Sequence, residues 1–208
     1  MKIGIMGGTF DPIHNGHLHL ARTALTQFDL DQIWFMPNGM PPHKKQSSIE
    51  SDIHERIAMT RIAIKANKQF YLQEYEAKRE KVSYSYKTME HFRKIYPDDE
   101  FYFIIGADSL FSIETWKHPE RLFKACIILA ACRDEAATKE SLNGQIQMLK
   151  GKYGAYIKFL AMPLEHVSSH EIRKLIESGE PVSEYIPAEV EAYIRKEGLY
   201  GSGNRKNQ

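Results

Sequence analysis

The chain has 208 residues, 42% hydrophobic and 26% charged, with 28 Lys and Arg against 27 Asp and Glu for a formal net charge of +1. That length suits one α/β domain with a full core, and the near-neutral balance excludes a general nucleic-acid or membrane-surface binder. No apolar run reaches the length of a membrane span, and Met1-Lys2-Ile3-Gly4 enters a strand with no signal-peptide core, which reads as cytoplasmic.

Short runs rich in Ile, Phe and Leu predict strands at 2–6, 32–36, 70–73, 101–105, 126–131 and 157–160, of the kind buried on both faces of a sheet. Helical periodicity predicts helices at 16–27, 51–67, 85–96, 119–124, 135–150, 168–178 and 187–197. This alternation predicts an α/β fold: a Rossmann-like, doubly wound, mainly parallel sheet with helices on both faces and a small C-terminal helical portion. Residues 37–51 read as a long loop rather than a linker, 1–200 as a single domain, and 201–208 as a polar, frayed tail. Cys126 and Cys132 have no metal-ligand spacing and read as thiols in or near the core.

The first strand runs into Gly7-Gly8-Thr9-Phe10-Asp11-Pro12-Ile13-His14-Asn15-Gly16-His17, and Leu18, Ala21, Ala24 and Leu25 continue with helical spacing. Strand, glycine turn and helix in this order make an anion site. Glycines let the backbone approach a phosphate, and the helix start offers N–H groups and the positive end of its dipole. His14 and His17 fall on one side of the first turn, and Gly16 leaves the space beside them open. The segment is neither a Walker A loop nor G-x-G-x-x-G. Asp11 reads either as a turn-forming Asp-Pro or as a residue that positions the loop or a magnesium-bound water.

Further segments follow other strands, where ligands of such sheets bind. In Val167-Ser168-Ser169-His170-Glu171-Ile172-Arg173, Ser168 or Ser169 is a natural N-cap and Arg173 supplies a planar phosphate fork near the first turn. Gly106-Ala107-Asp108-Ser109 follows the fourth strand and Trp116 comes eight residues after Asp108. By residue type alone Trp116 fits ordinary packing, Lys44 a solvated loop and Arg133 the surface. The stretch with Tyr84 and Ser85 fits a helix N-terminus capped by Ser83 or Ser85.

Gly7–His17 resembles the H-x-G-H signature of the nucleotidylyltransferase superfamily, in the longer form of the bacterial nicotinate mononucleotide adenylyltransferases. Ser168–Arg173 is similar to that family's second signature, Ser-Ser-Thr-x-Ile-Arg, with His170 in place of Thr. The resemblance runs from residue 2 to about 200. It implies transfer of the adenylyl group of ATP to nicotinate mononucleotide, giving deamido-NAD and pyrophosphate by in-line attack without a protein general base. It implies ATP binding by Gly7, Gly8, Thr9, Phe10, His14, Gly16, His17, Ser168, Ser169 and Arg173, with His14, His17 and Arg173 serving the transition state.

On the acceptor side, the resemblance implies Lys44 by the mononucleotide phosphate and backbone N–H groups around Tyr84 and Ser85 toward the nicotinate carboxylate. Gly106 and Asp108 would hold the mononucleotide, Trp116 would stack on its ring, and Arg133 would assist. Mg2+ would arrive with ATP and take its ligands from phosphates, so no protein metal site is expected. ATP and nicotinate mononucleotide are the implied partners, without nucleic acid or membrane, and a homodimer fits because adenylyltransferases of this kind are often dimers or higher. Nicotinamide mononucleotide and phosphopantetheine are alternative acceptors, although Thr9 and His14 weigh against the second. A non-catalytic nucleotide sensor is the alternative of another class.

Overall fold

The computed structural model describes residues 1–39, 49–79, 82–133, 136–162 and 168–202. Its elements in chain order are β1 (Lys2–Gly8), α1 (Asn15–Phe28), β2 (Gln32–Pro37), α2 (Ile53–Ile64), β3 (Phe70–Leu72) and α3 (Ser85–Ile95). There follow β4 (Glu100–Gly106), α4 (Ala107–Ser112), α5 (Pro119–Ala125), β5 (Ile127–Arg133), α6 (Ala136–Tyr153), β6 (Ile157–Met162), α7 (Ser169–Ser178) and α8 (Ala188–Glu197). Short 3-10 turns cover Ile113–Thr115 and Leu199–Gly201.

All six strands form one sheet in the order β3-β2-β1-β4-β5-β6, and every neighbouring pair is parallel. Side chains alternate between two cores. Met6, Ile33, Phe35, Tyr102, Ile104 and Leu129 pack with α1, α2, α7 and α8. Ile3, Ile5, Trp34, Met36, Phe101, Phe103 and Ile128 pack with α3, α4, α5 and α6. At Gly4 a Cβ would lie 2.4 Å from Ile33 Cδ1, so a larger residue in the central strand would have to displace that buried methyl.

The structure refines several expectations. Gly7 and Gly8 are the last two residues of β1, paired with Met36 and Pro37, rather than a turn. Burial on both faces fails at the sheet edges, where Tyr71 of β3 is exposed. The helix α4 and the turn after it are absent from the sequence reading because little more than one turn carries no legible periodicity. Cys126 and Cys132 are buried free thiols, as expected, and burial pushes the Cys126 thiol up. Among the described residues, no helix is long and apolar enough to cross a membrane.

Candidate active site

The strand order reverses between β1 and β4. In a parallel sheet that reversal splays the outgoing chains apart and opens a crevice at the carboxyl ends of the strands. The loop before α1, the chain beyond Pro37, Gly106 and Arg133 all leave that edge.

His14 is the N-cap residue of α1, with extended backbone (φ −141°, ψ 171°). Its N–H donates to His17 Nδ1 at 3.2 Å, and the two rings lie 3.7 Å apart, tilted by 36°. Because His17 Nδ1 accepts, its imidazole proton is on Nε2, so His17 presents a donor on the far side of its ring. The edge of Phe10 backs His17 at 5.0 Å. His14 is buried, and desolvation lowers its pKa from 6.5 to about 4. Its Nδ1 has no hydrogen-bond partner among the described residues. A neutral histidine with an unanswered ring nitrogen therefore sits beside a donor histidine at a helix start.

Two details differ from the sequence reading. The first helical N–H, at Asn15, is taken by the carbonyl of Tyr185 at 2.7 Å, so it is not open to an anion. Gly8 has a packing reason for lacking a side chain: a Cβ would lie 2.7 Å from the ring of Phe10. That ring is in the core, so only the backbone of Phe10 could meet a ligand. Thr9 and Gly16 are likewise buried.

The second signature packs onto the first. Ser168 caps α7, accepting from the Glu171 N–H at 3.2 Å and donating to the Glu171 carboxylate at 2.7 Å. The Ser168 hydroxyl and the Ser168 N–H, each donating to that carboxylate at 2.7 Å, hold the Glu171 carboxyl below its ordinary range. Ser169 Oγ donates to the Pro12 carbonyl at 2.9 Å. Both hydroxyls are engaged within the protein, and at this helix start the N–H groups of Ser169 and His170 have no intrahelical acceptors. Arg173 is buried, with Nη1 donating to the Asp11 carbonyl at 2.8 Å and Nε donating to Glu50 Oε1 at 2.6 Å.

Asp11 ties these pieces together. Its carboxylate accepts from the Glu50 N–H at 2.8 Å, the Ser51 N–H at 3.2 Å and the Tyr200 hydroxyl at 2.7 Å, and lies 3.7 Å from Arg173 Nη1. Asp11 and Pro12 stand in a turn, and the carboxylate positions the loop, so these two of the roles read for it hold together. Arg56, which the sequence reading missed, is buried in α2 and donates from Nη1 to the carbonyls of Thr9 at 2.8 Å and Asn38 at 2.9 Å. Burial lowers its guanidinium from the ordinary value, opposed by Asp11, Tyr200 and Asp52. Its signal was a charge sharing an i, i+4, i+8 face with buried Thr60 and Ile64.

On the other side of the crevice, α3 begins at Ser85 with Tyr84 as N-cap residue and no side-chain capping bond. The carbonyl of Tyr84 accepts from the N–H groups of Lys87 at 2.9 Å and Thr88 at 3.2 Å, leaving those of Ser85 and Tyr86 at the open helix end. Ser83, expected as one of two caps, is buried, and its Oγ has no hydrogen-bond partner among the described residues. Gly106 ends β4 with open space where a Cβ would be, and Asp108 is exposed in the first turn of α4. Trp116 is half-buried, edge-on to Phe103 of β4 at 6.4 Å. Arg133 is the last residue of β5. Lys44, most of the loop 37–51 and the tail beyond Ser202 lie outside the described residues.

The family model described as cytidylyltransferase-like matches residues 5–175. A probable nicotinate-nucleotide adenylyltransferase of Clostridium kluyveri is 40% identical over 96% of this chain and 99% of its own length. One from Carboxydothermus hydrogenoformans is 44% identical over 96% of this chain and 98% of its length. The Plasmodium falciparum nicotinic acid mononucleotide adenylyltransferase, solved in complex with NaAD, superposes with a TM-score of 0.76 at 21% identity, covering 96% of this chain and 97% of that one. At that identity the likeness bears on the fold, while the bacterial relatives carry the family. The chain belongs to the cytidylyltransferase-like family, among its nicotinate-nucleotide adenylyltransferases.

Proposed function

We propose that the chain transfers the adenylyl group of ATP to the phosphate of nicotinate mononucleotide, giving deamido-NAD and pyrophosphate. The observation that carries this reading is the paired His14 and His17 at the start of α1, locked by α7 and Arg173 onto one loop. The acceptor is a phosphate oxyanion at neutral pH. It forms a bond to the α-phosphorus as the bond to the β-phosphate oxygen breaks, and no proton needs to be removed. The chain's task is to bring anions together and stabilise charge on the α-phosphate and the departing pyrophosphate.

His17 Nε2–H, the N–H groups of Ser169 and His170, and Arg173 are the donors we assign to ATP, with Gly7, Gly8, Thr9, Phe10, Gly16 and Ser168 shaping their cradle. Tyr84, Ser85, Gly106, Asp108, Trp116, Arg133 and Lys44 are assigned to the mononucleotide. The N–H groups of Ser85 and Tyr86 suit its carboxylate, and the indole of Trp116 suits its ring. Mg2+ is assigned to the substrate as Mg-ATP, liganded by phosphates and water. The proposed setting is the cytoplasm, where reducing conditions keep the two cysteines as thiols.

Pyrophosphate release from Mg-ATP with nicotinate mononucleotide, nicotinamide mononucleotide or phosphopantetheine tests the assignment. A kcat/KM for the nicotinate substrate far above the others is expected. Preference for either other acceptor would keep the chemistry and overturn the acceptor site.

A further inference from the structure

We infer that Tyr200 is a positioning residue for ATP binding: its hydroxyl holds the Asp11 carboxylate and, through it, Arg173 and the histidine loop. This rests on the reading of Arg173 as a triphosphate ligand. Tyr200 lies beyond the residues 5–175 that the family model matches. Its hydroxyl accepts from Ser51 Oγ at 2.7 Å and donates to Asp11 Oδ1 at 2.7 Å, a relay in which each bond polarises the next. Burial, with Asp11 beside it, raises the phenol well above its ordinary value, so it stays a donor.

The backbone shows what this placement demands. Tyr200 has φ 54°, flanked by Gly198 at 65° and Gly201 at 73°. A bulky residue in the left-handed region is strained and persists where its surroundings hold it. The ring is in the core packed by α7 and α8, which leaves the hydroxyl as the group aimed at the loop.

Without that hydroxyl, the buried Asp11 carboxylate loses one of the three hydrogen-bond donors it has among the described residues. Arg173 Nη1 lies 3.7 Å from that carboxylate, and a carboxylate short of donors draws a guanidinium toward itself. Arg173 is then withdrawn from phosphate, and the mononucleotide side is untouched.

Tyr200→Phe keeps the ring and removes the relay. We expect its KM for ATP to rise about tenfold, the worth of a hydrogen bond to a charged group, with the KM for nicotinate mononucleotide unchanged within about twofold. Ile194→Val, which trims the same packing, should lower Tm and leave both KM values alone. If Tyr200→Phe does not fold, Ser51→Ala decides: it removes only the donor to Tyr200, and a rise of about twofold in KM for ATP supports the inference. An unchanged KM for ATP in the variant that folds, while Arg173→Lys raises it, overturns the inference alone. If Arg173→Lys also leaves it unchanged, the reading of Arg173 falls with it.

Discussion

His14 and His17 show how identical side chains take different work from their surroundings. His17 is fixed by the N–H of His14, so His17→Ala should cut kcat by about 10²–10³-fold, the cost of losing one preorganised donor to developing charge. Its thermal midpoint should change by only a few degrees, and an unchanged kcat would remove it from the mechanism. His14 is held neutral by burial, with a pKa lowered from 6.5 to about 4. The unfolded chain therefore binds an extra proton in that window. The stability this contributes is present above pH 6.5 and lost as pH falls toward 4, by about 3 kcal/mol at ~1.4 kcal/mol per pH unit. Urea unfolding from pH 7 to 4 should show a shallower loss in His14→Gln than in the parent chain. Both histidines were legible because their motif is local. The partners of Asp11 were not, since Glu50, Ser51 and Tyr200 reach it across 39, 40 and 189 residues.

At the scale of elements, the site depends on staples between loops. Arg56 joins the loop after β1 to the chain leaving β2 through two carbonyls. Arg56→Met keeps the volume but removes the buried donor that both carbonyls share, which should cost about 2–4 kcal/mol in a urea midpoint measurement. Activity should fall with it, because the Thr9 carbonyl is no longer held; a stable, fully active variant would contradict the staple. Gly8→Ala drives a methyl into the ring of Phe10, and a Tm loss corresponding to about 1–3 kcal/mol is expected. The sequence placed every strand and each long helix near its observed position, since short apolar runs mark strands buried in a parallel sheet and longer segments between them mark helices. It missed α4 and the turn at Leu199–Gly201, which are too short to leave such a mark, and took the end of β1 for a turn because glycine pairs usually break strands.

Across the whole molecule, parallel pairing sends every connecting loop of the candidate site to one edge, and the reversal between β1 and β4 opens that edge at its centre. The alternation of strands and helices made this architecture readable, and the motifs at successive strand ends pointed to the same edge. Which loops touch, and through which side chains, depends on packing that no local pattern encodes. The central claim is adenylyl transfer, and it is tested most directly by following label from α-³²P-ATP with Mg2+ and nicotinate mononucleotide. The account requires the label to appear in a dinucleotide, with one pyrophosphate released for each one formed. Label leaving as AMP, or ATP bound with no labelled product, would contradict it.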